Sequence, residues 1–495
     1  MRMPPPDAAV IARRAEIASD LRAILPAESV RISEDERRAY ETDALTAYRQ
    51  SPLVVVLPAS TEEVARVLRY CHERRIKVVP RGGGTSLSGG ALPLSDGVLM
   101  STGKLNRILD IDFENRCAVV QPGVTNLAIS AAVDHAGFYY APDPSSQIAC
   151  TIGGNVAENS GGVHCLKYGV TTNNVLGVEL VMMDGTVVRL GGKHLDSEGY
   201  DLLGITIGSE GLLGVVTEVT VRILKKPTAA RALLVGFSTN ESAGACVAAV
   251  IGAGIIPAGM EMMDRPAIHA AEDFVHAGYP LDVEALLIVE LDGPPAEVDH
   301  LIERVRQIAL GCGAVSCHAS ESEEERLRFW AGRKAAFPAA GRLSPDYYCV
   351  DGTIPRHRLA EVLHRMSGLS AEFGLRVINV FHAGDGNLHP LILYDANKSD
   401  ELDRAEGLGA AILRLCVAVG GVLTGEHGVG VEKRDLMDTM FTKIDLDQQQ
   451  RLKCAFDPEG LLNPGKVFPQ LHRCAELGRL HVHHGHVPFP DLPRL

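Results

Sequence analysis

The chain has 495 residues, of which 46% are hydrophobic and 22% are charged, a composition typical of a globular protein with more than one domain. Its formal net charge of −14 argues against a nucleic-acid partner, because such a partner would require a basic face. Because we find neither an apolar run of about 18 residues nor a secretory signal, we expect a cytoplasmic chain whose membrane contact is only indirect.

The 11 cysteines are scattered along the chain and include no C-x-x-C pair. Scattered cysteines in a long chain without a secretory signal are usually reduced thiols. Iron–sulfur clusters and four-cysteine zinc sites need closely spaced thiolates. We therefore expect reduced cysteines and no such centre held by this chain alone.

The first elements predict a β-α-β unit. After a charged helical segment, residues 1–50, the apolar strand "LVVVLP" is followed by a helix capped by Ser60, a second strand and the glycine cluster "RGGGTSLSGG". Short strands then continue to residue 225. These patterns predict a first domain over residues 51–228.

The second half alternates strands such as "ALLVGF" and "ALLIVEL" with amphipathic helices. This pattern predicts an α+β domain built on an antiparallel sheet over residues 229–420. Residues 421–470 are glycine-rich and then helical, and we expect them to pack on the first domain. Residues 471–495 contain "HVHHGH" and are expected to form an irregular tail, with adventitious metal binding as the alternative.

Two histidines flank a predicted turn in "HAGDGNLHP". The β-branched runs on both sides and the Asp385-Gly386 pair predict a β-hairpin with a two-residue turn. In that register His382 and His389 face each other directly, with Cβ atoms about 5 Å apart. Two imidazoles at this spacing can share one divalent metal ion, but a metal site needs further ligands.

Three glycine-rich stretches favour a groove for phosphate groups. Residues 81–90 offer many backbone N–H groups but fit neither the Walker loop nor the G-x-G-x-x-G pattern, and a surface turn is an equal alternative for this loop alone. Residues 142–162 and 208–223 again combine glycines with small and hydroxyl side chains. Together the three stretches predict one long groove for a dinucleotide.

Five motifs occur in the order of a known family: "PRGGGTSLSGG", "TIGGNVAENSGG", "HAGDGNLHP", "TGEHGVG" and "DPEGLLNPGK". Through them the chain resembles the FAD-linked oxidases of the vanillyl-alcohol oxidase type, in the branch of 2-hydroxy-acid dehydrogenases. The stretch "FWAGRKAAFPAAGRLSPDYYC" is similar to the flavin-binding large subunits of bacterial glycolate oxidases. The resemblance implies an α+β fold with a two-part FAD-binding domain, an antiparallel-sheet substrate (cap) domain and a C-terminal helical segment.

The resemblance also implies that FAD is bound noncovalently, because the first glycine loop contains no histidine to which a flavin could be linked. The residues that it implies around FAD are Arg81, Gly82, Gly83, Gly84, Thr85, Ser86, Ser88, Gly89, Gly90, Pro142, Asp143, Ser146, Thr151, Gly153, Gly154, Asn155, Ala157, Ser160, Gly161, Glu210, Val215 and Val216.

Glu426 and His427 are adjacent in "TGEHGVG", a stretch too glycine-rich for a helix interior. With His382 and His389, Glu426 would complete a set of two histidines and one carboxylate that leaves a position open for substrate. The resemblance assigns these three residues as ligands of a divalent metal (zinc, manganese or iron) and His427 as the catalytic base. The alternative is that each histidine is an ordinary hydrogen-bonded residue.

The resemblance assigns Arg333 as the partner of the substrate carboxylate, with a surface arginine as the alternative. Relatives that act on dicarboxylates carry another basic residue where this chain has tyrosine, cysteine and valine at residues 348–350. This difference favours glycolate or D-lactate over 2-hydroxyglutarate. Asn387 and Tyr347 are candidate supporting residues.

These parts predict the oxidation of glycolate to glyoxylate, with oxidation of D-lactate or D-2-hydroxyglutarate as alternatives. The metal would acidify the substrate hydroxyl, His427 would accept its proton, and FAD N5 would accept the hydride. Electrons would then pass to a separate iron–sulfur subunit, or to quinone or another diffusing acceptor. The resemblance further implies a second flavin-binding subunit and peripheral attachment to the inner membrane through these partners.

Two rival classes remain open at this point. A metallohydrolase could use the same two histidines and glutamate to activate water, but it leaves the three glycine stretches unexplained. A noncatalytic flavoprotein scaffold in a larger complex would keep the groove and dispense with the base.

Overall fold

The computed structural model describes residues 3–194 and 199–469, so the predicted irregular tail over residues 471–495 lies outside the described residues. Among the described residues, no helix is both long and apolar enough to cross a membrane. The predicted α+β class is confirmed: helices cover several sheets, and the largest of these sheets is antiparallel.

The first part of the chain forms two main sheets. Its helices and strands are α1 (Ala8–Ala12), α2 (Arg14–Ile24), β1 (Val30–Arg31), α3 (Glu34–Arg38), β2 (Val54–Val56), α4 (Thr61–Glu73), β3 (Lys77–Arg81), β4 (Gly97–Ser101), β5 (Ile108–Asp112), β6 (Cys117–Val120), α5 (Asn126–Val133), β7 (Phe138–Tyr139), α6 (Ile152–Glu158), α7 (Cys165–Tyr168), α8 (Thr171–Asn174), β8 (Val175–Val181), β9 (Val187–Gly191), α9 (Leu202–Thr206), β10 (Val215–Arg222) and β11 (Leu224–Lys225). One sheet has the order β1-β2-β4-β3 and the other the order β5-β6-β10-β8-β9, while β7 and β11 form a separate pair.

The predicted β-α-β opening is confirmed, since β2, β4 and β3 are parallel and α4 connects β2 to β3. The Ser60 hydroxyl accepts the N–H of Glu63 at 3.2 Å and caps α4 as the sequence predicts. Val64, Val67 and Leu68 on the inner face of this helix are buried against the valines of the first sheet. This packing holds the start of the first glycine loop at the end of β3.

The C-terminal segment contacts the same sheet. Leu461 and Leu462 are buried in the core of the first sheet. The Val78 N–H donates to the Leu461 carbonyl at 2.9 Å, and the Asn463 N–H donates to the Val78 carbonyl at 2.8 Å. The chain end therefore lies beside β3, next to the first glycine loop.

The second part of the chain forms a nine-stranded sheet in which every described strand pair is antiparallel. Its helices and strands are β12 (Ala229–Phe237), α10 (Asn240–Gly252), β13 (Gly259–Asp264), α11 (Arg265–Val275), β14 (Ala285–Gly293), α12 (Pro295–Gly311), β15 (Ala314–Ala319), α13 (Glu323–Ala340), β16 (Asp346–Cys349), β17 (Gly352–Thr353), α14 (Leu359–Phe373), β18 (Val377–His382), β19 (Asn387–Leu388), β20 (Pro390–Tyr394) and α15 (Glu401–Ala418), followed by α16 (Met437–Met440) and α17 (Lys443–Phe456).

Helices cover both faces of this sheet. The larger core includes Val247 of α10 and Val362 of α14. The other core includes Ile268 of α11 and Phe329 of α13. Strands buried on both faces are nearly continuous in apolar residues, and β14 begins with Ala-Leu-Leu-Ile-Val for this reason.

The segment around α7 joins the first part of the chain to β14 of the second. The His164 ring lies between two carboxylates, with Nδ1 2.8 Å from Asp143 Oδ2 and Nε2 3.2 Å from Glu290 Oε1. The Tyr168 hydroxyl donates to Asp292 at 2.6 Å. Burial by itself lowers the pKa of His164, but the two carboxylates outweigh burial and raise this pKa well above its ordinary value.

We expect the contribution of His164 to stability to depend on pH. A histidine whose pKa is raised by folding contributes its full stabilisation below its pKa in the unfolded chain, about 6.5. This contribution is lost as the pH rises through its pKa in the folded protein. His164→Gln should therefore lower the free energy of unfolding by about 2 kcal/mol at pH 6 and by less at pH 9.

Urea unfolding followed by fluorescence of Trp330, the single tryptophan, measures this difference. His300→Gln, at an exposed position on α12, is the control and should change little at either pH. A loss that is the same at pH 6 and pH 9 would contradict a charged His164.

Candidate functional site

The three glycine-rich stretches line one cavity of about 580 Å³. His389, Glu426 and His427 also line this cavity. The predicted FAD residues on its wall are Arg81, Gly82, Gly83, Gly84, Thr85, Ser86, Gly90, Ser146, Gly153, Gly154, Asn155, Ala157, Ser160, Glu210, Val215 and Val216.

Glycine is required where the first and second stretches meet. A Cβ on Gly82 would lie 2.5 Å from Thr151 Oγ1, and a Cβ on Gly83 would lie 2.7 Å from the Ala149 carbonyl oxygen. Any larger residue would push the two loops apart. At this junction the cavity wall therefore consists of backbone and small polar groups, and such a wall fits the pyrophosphate of FAD.

Some of the predicted FAD residues lie behind this wall. They are Ser88, Gly89, Pro142, Asp143, Thr151 and Gly161. The Ser88 carbonyl accepts the N–H of Val431 at 2.9 Å, and the Gly161 N–H donates to Glu426 Oε2 at 3.0 Å. Asp143 binds His164. Ser88 and Gly161 therefore connect two of the glycine-rich stretches to the stretch around Glu426.

Glu210 lines the cavity and also anchors the stretch that contains Glu426 and His427. Its two carboxylate oxygens accept the N–H groups of Val429 and Gly430, at 2.6 and 2.7 Å. This contact bridges the third glycine-rich stretch and the "TGEHGVG" stretch. It holds the glycine-lined cavity and the candidate metal site next to each other.

His382, His389 and Glu426 form a compact set of possible metal ligands. His382 Nε2 lies 3.0 Å from Glu426 Oε1, and His389 Nε2 lies 3.3 Å from the same oxygen. One donor atom from each residue lies within 4.8 Å of the others. The buried Nε2 of His389 has no hydrogen-bond partner among the described residues. Two imidazoles and a carboxylate around one point fit a divalent metal.

The predicted hairpin register is wrong. His382 faces Asn387 rather than His389, and residues 383–386 form a four-residue connection. The pairing is displaced by two residues, and side chains two residues apart on a strand share a face. His389 is therefore a diagonal neighbour of His382, and the two ring centroids are 5.0 Å apart.

The electrostatics of this set favour positive charge at its centre. Burial alone would lower the pKa values of His382 and His389, but nearby carboxylates outweigh burial and raise both. Burial alone would raise the pKa of Glu426, but the two imidazoles hold this pKa well below its usual range. A bound cation would supply the positive charge that protonated imidazoles otherwise carry.

His427 lies against the candidate metal site as a neutral imidazole. Its ring stacks on that of His389, with centroids 4.8 Å apart and planes 7° from parallel. Burial and the neighbouring His389 lower the pKa of His427 to about 4, against the opposing effect of Asp351. The buried Nδ1 has no hydrogen-bond partner among the described residues. Near neutral pH, this side chain has a nitrogen free to accept a proton.

Arg333 is buried on α13, and only 1% of its surface is exposed. Its Nε donates to Glu261 Oε2 at 2.7 Å. Neither terminal nitrogen of the guanidinium has a hydrogen-bond partner among the described residues. A buried guanidinium with two unpaired nitrogens fits a carboxylate ligand, and the surface alternative is wrong.

The two supporting candidates lie at the edge of the site. Asn387 is buried, and its Oδ1 has no hydrogen-bond partner among the described residues. Tyr347 packs edge to face on Phe337, which in turn contacts the ring of His389. Both therefore lie within one side chain of the candidate ligands.

Asp351 is a residue at the candidate site that the sequence analysis missed. Its fully buried carboxylate accepts the backbone N–H groups of Gly425, Glu426 and His427, at 3.0, 3.2 and 2.8 Å. Lys433 Nζ lies 3.4 Å from the same oxygen. The position of an acidic residue at the end of an apolar strand, "YYCVD", is the one signal that could have indicated it.

A second set of possible ligands, Asp351, His389 and His427, also has donor atoms within 4.8 Å of one another. The Asp351 carboxylate, however, already accepts several hydrogen bonds from the turn around Glu426. Glu426 has fewer protein donors, and its Oε1 faces both His382 and His389. The set with Glu426 is the better candidate metal site.

Two protein families together match most of the chain. Residues 52–191 match the family described as "FAD binding domain", and residues 226–467 match "FAD linked oxidases, C-terminal domain". "Glycolate oxidase subunit GlcD" of Escherichia coli (strain K12) is 56% identical over 481 residues, which cover 97% of this chain and 96% of the relative. "D-lactate dehydrogenase" of Archaeoglobus fulgidus is 35% identical, over 88% of this chain and 96% of the relative.

Solved structures share the fold at low sequence identity. The 4-ethylphenol oxidase from Gulosibacter chungangensis has a TM-score of 0.78 at 19% identity and covers 96% of this chain, with 100% of its own chain covered. p-Cresol methylhydroxylase has a TM-score of 0.78 at 17% identity, over 93% of this chain and 97% of its own. At these identities the likeness concerns the fold alone.

We expect Asp351→Asn to destabilise the protein by about 3 kcal/mol, because it removes the charged acceptor from three backbone N–H groups and from a buried lysine. The measurement is the urea unfolding midpoint. Asp438→Asn, at an exposed position on α16 of the same C-terminal segment, is the control and should cost less than about 0.5 kcal/mol. Equal effects of the two substitutions would contradict the role of Asp351.

Proposed function

This chain belongs to the FAD-linked oxidases, and from that membership we propose that it oxidises a short 2-hydroxy acid, namely glycolate, to the 2-oxo acid. The proposal is supported by 56% identity over 97% of the chain to a protein named as a glycolate oxidase subunit. A more distant relative named as a D-lactate dehydrogenase makes D-lactate the second candidate substrate.

One observation carries the proposed chemistry: a neutral imidazole, a set of metal-ligating groups and the glycine-lined cavity lie side by side. His389, Glu426 and His427 all border that cavity. A metallohydrolase would use the ligands but would leave a cavity with glycine-rich walls without a purpose. A noncatalytic scaffold would not need a buried imidazole whose pKa is lowered to about 4.

In the proposed reaction, each of the candidate site residues has a separate role. The two free guanidinium nitrogens of Arg333 would bind the substrate carboxylate in a bidentate manner. His427 would accept the proton of the substrate hydroxyl at a ring nitrogen. A divalent metal held by His382, His389 and Glu426 would make that hydroxyl more acidic. FAD in the glycine-lined cavity would accept the hydride from the α-carbon.

The residues at the end of β16 bear on whether the substrate carries a second carboxylate. Tyr348, Cys349 and Val350 are buried, and none of them carries a positive charge. A second substrate carboxylate would have no partner from these residues, and an unpaired buried carboxylate is costly. We therefore rank glycolate and D-lactate above D-2-hydroxyglutarate.

Electrons would leave through partner subunits. The relatives from Escherichia coli and Bacillus subtilis are both named as subunits. Because the sequence contains no C-x-x-C pair, we propose a separate iron–sulfur subunit and a second flavin-binding subunit as partners. The cytoplasmic location, with peripheral attachment to the inner membrane through these partners, stays a prediction.

The test is anaerobic reduction of the flavin by a panel of 2-hydroxy acids, followed by loss of the absorbance of oxidised FAD. We expect glycolate and D-lactate to bleach the flavin and D-2-hydroxyglutarate to bleach it more slowly. Treatment with a chelator should slow bleaching, and added Zn²⁺ or Mn²⁺ should restore it. A preparation without flavin, or one that no 2-hydroxy acid reduces, would contradict the proposal.

We expect His427→Asn to slow flavin reduction by glycolate about 10²- to 10⁴-fold, because the substrate hydroxyl loses its proton acceptor. FAD content, measured after denaturation, should stay unchanged. His357→Asn, on the turn before α14, is the control and should reduce at the wild-type rate. An unchanged rate in His427→Asn would remove this residue from the mechanism.

A further inference from the structure

Glu261 is a buried acidic residue that the proposed reaction does not use. It lies in the middle of β13, and only 1% of its surface is exposed. Each of its carboxylate oxygens has a different partner: Oε1 lies 2.5 Å from His382 Nδ1, and Oε2 lies 2.7 Å from Arg333 Nε. One carboxylate therefore contacts both a candidate metal ligand and the candidate substrate-binding arginine.

The sheet register determines the first of these contacts. β13 and β18 are antiparallel neighbours, and Glu261 and His382 are direct cross-strand partners. Directly opposed residues project to the same side of a sheet, with Cβ atoms about 5 Å apart. The second contact comes from α13, which carries Arg333. Glu261 thus joins a strand and a helix that contribute different functional groups.

We propose that Glu261 is a positioning residue that holds His382 and Arg333 at a fixed separation, an inference that rests on the proposed function. The carboxylate accepts the Nδ1–H of His382, so Nε2, which lies 3.0 Å from Glu426 Oε1, is the ring nitrogen that can bind a metal. By accepting the Nε–H of Arg333, it also orients the two terminal nitrogens that remain unpaired.

The chemistry of the substrate explains why this separation matters. In a 2-hydroxy acid the carboxylate and the hydroxyl are on adjacent carbons, so the groups that bind them must be a short and constant distance apart. Without Glu261, both His382 and Arg333 would lose a charged partner in a buried environment. Metal affinity and substrate affinity should therefore fall together.

The first measurement concerns the metal alone. FAD-loaded full-length protein is stripped with a chelator and titrated with Zn²⁺ in competition with a chromogenic chelator. Glu261→Gln should weaken Zn²⁺ binding about 10- to 100-fold, the effect typical of a lost partner of a metal-ligating histidine. Should Glu261→Gln fail to fold, Glu261→Asp keeps the charge but is too short to reach both partners, and it should show the same loss.

The second measurement concerns the substrate. Glu261→Gln should raise the KM for glycolate about 10-fold or more, because Arg333 is no longer oriented. Arg333→Lys should raise this KM with no change in Zn²⁺ affinity. Because Glu261 acts on the carboxylate through Arg333, the KM effects of the two substitutions should be less than additive in the double variant.

Asp264→Asn is the matched control, since it removes a buried carboxylate from the same strand. Asp264 accepts the N–H groups of Ala267 and Asn379, at 3.1 and 2.9 Å. This variant should be destabilised but should keep wild-type Zn²⁺ affinity and KM. Unchanged Zn²⁺ affinity and KM in Glu261→Gln, or equal losses in Asp264→Asn, would overturn the inference.

The failure of this inference differs from the failure of the proposed function. If no 2-hydroxy acid reduced the wild-type flavin, the proposed function would be wrong. The Zn²⁺ titration would then still decide whether Glu261 supports His382. If glycolate reduced the flavin of the wild type, and Glu261→Gln had the wild-type Zn²⁺ affinity and KM, only the role of Glu261 would be wrong.

Discussion

The Asp351 carboxylate lies out of contact with water and accepts the N–H groups of three consecutive residues, 425–427. A buried carboxylate without donors would be costly, and a turn with three unpaired N–H groups would be costly too. Here the carboxylate and the three N–H groups supply the hydrogen-bond partners that each would otherwise lack. This contact brings Glu426 and His427 next to His389, which lies between β19 and β20, and the proposed chemistry depends on it.

Around this contact the site is built from buried ions that compensate one another. Glu261 faces His382 and Arg333, while Glu426 faces His382 and His389. Such pairs add little net stability compared with apolar packing, but removing one partner leaves a buried charge uncompensated. The charged residues of the candidate site are therefore held in place by contacts that stabilise the protein less than apolar packing would. His427 is the exception, because burial keeps it neutral.

The predicted hairpin shows where a local sequence rule gave a different turn from the one in the folded protein. The Asp385-Gly386 pair predicted a two-residue turn, whereas the chain uses residues 383–386 and pairs His382 with Asn387. Gly386 has a positive φ of 81°, and a Cβ there would lie 2.2 Å from the Ile354 carbonyl oxygen. Packing against a neighbouring segment therefore selected the turn. The histidines still meet, because a displacement of two residues preserves the face.

The sequence by itself determined the local elements and the family: the Ser60 helix cap, the parallel opening unit, the glycine stretches and the motifs around His382, His389, Glu426 and His427. These features follow from backbone preferences and short-range spacing, and both can be read along the chain. Only the tertiary structure showed that Asp351 and Glu261 contact those residues. Asp351 and Glu426 are 75 residues apart in the chain, and Glu261 and His382 are 121 residues apart. Contacts between residues so far apart depend on how the sheets and helices pack.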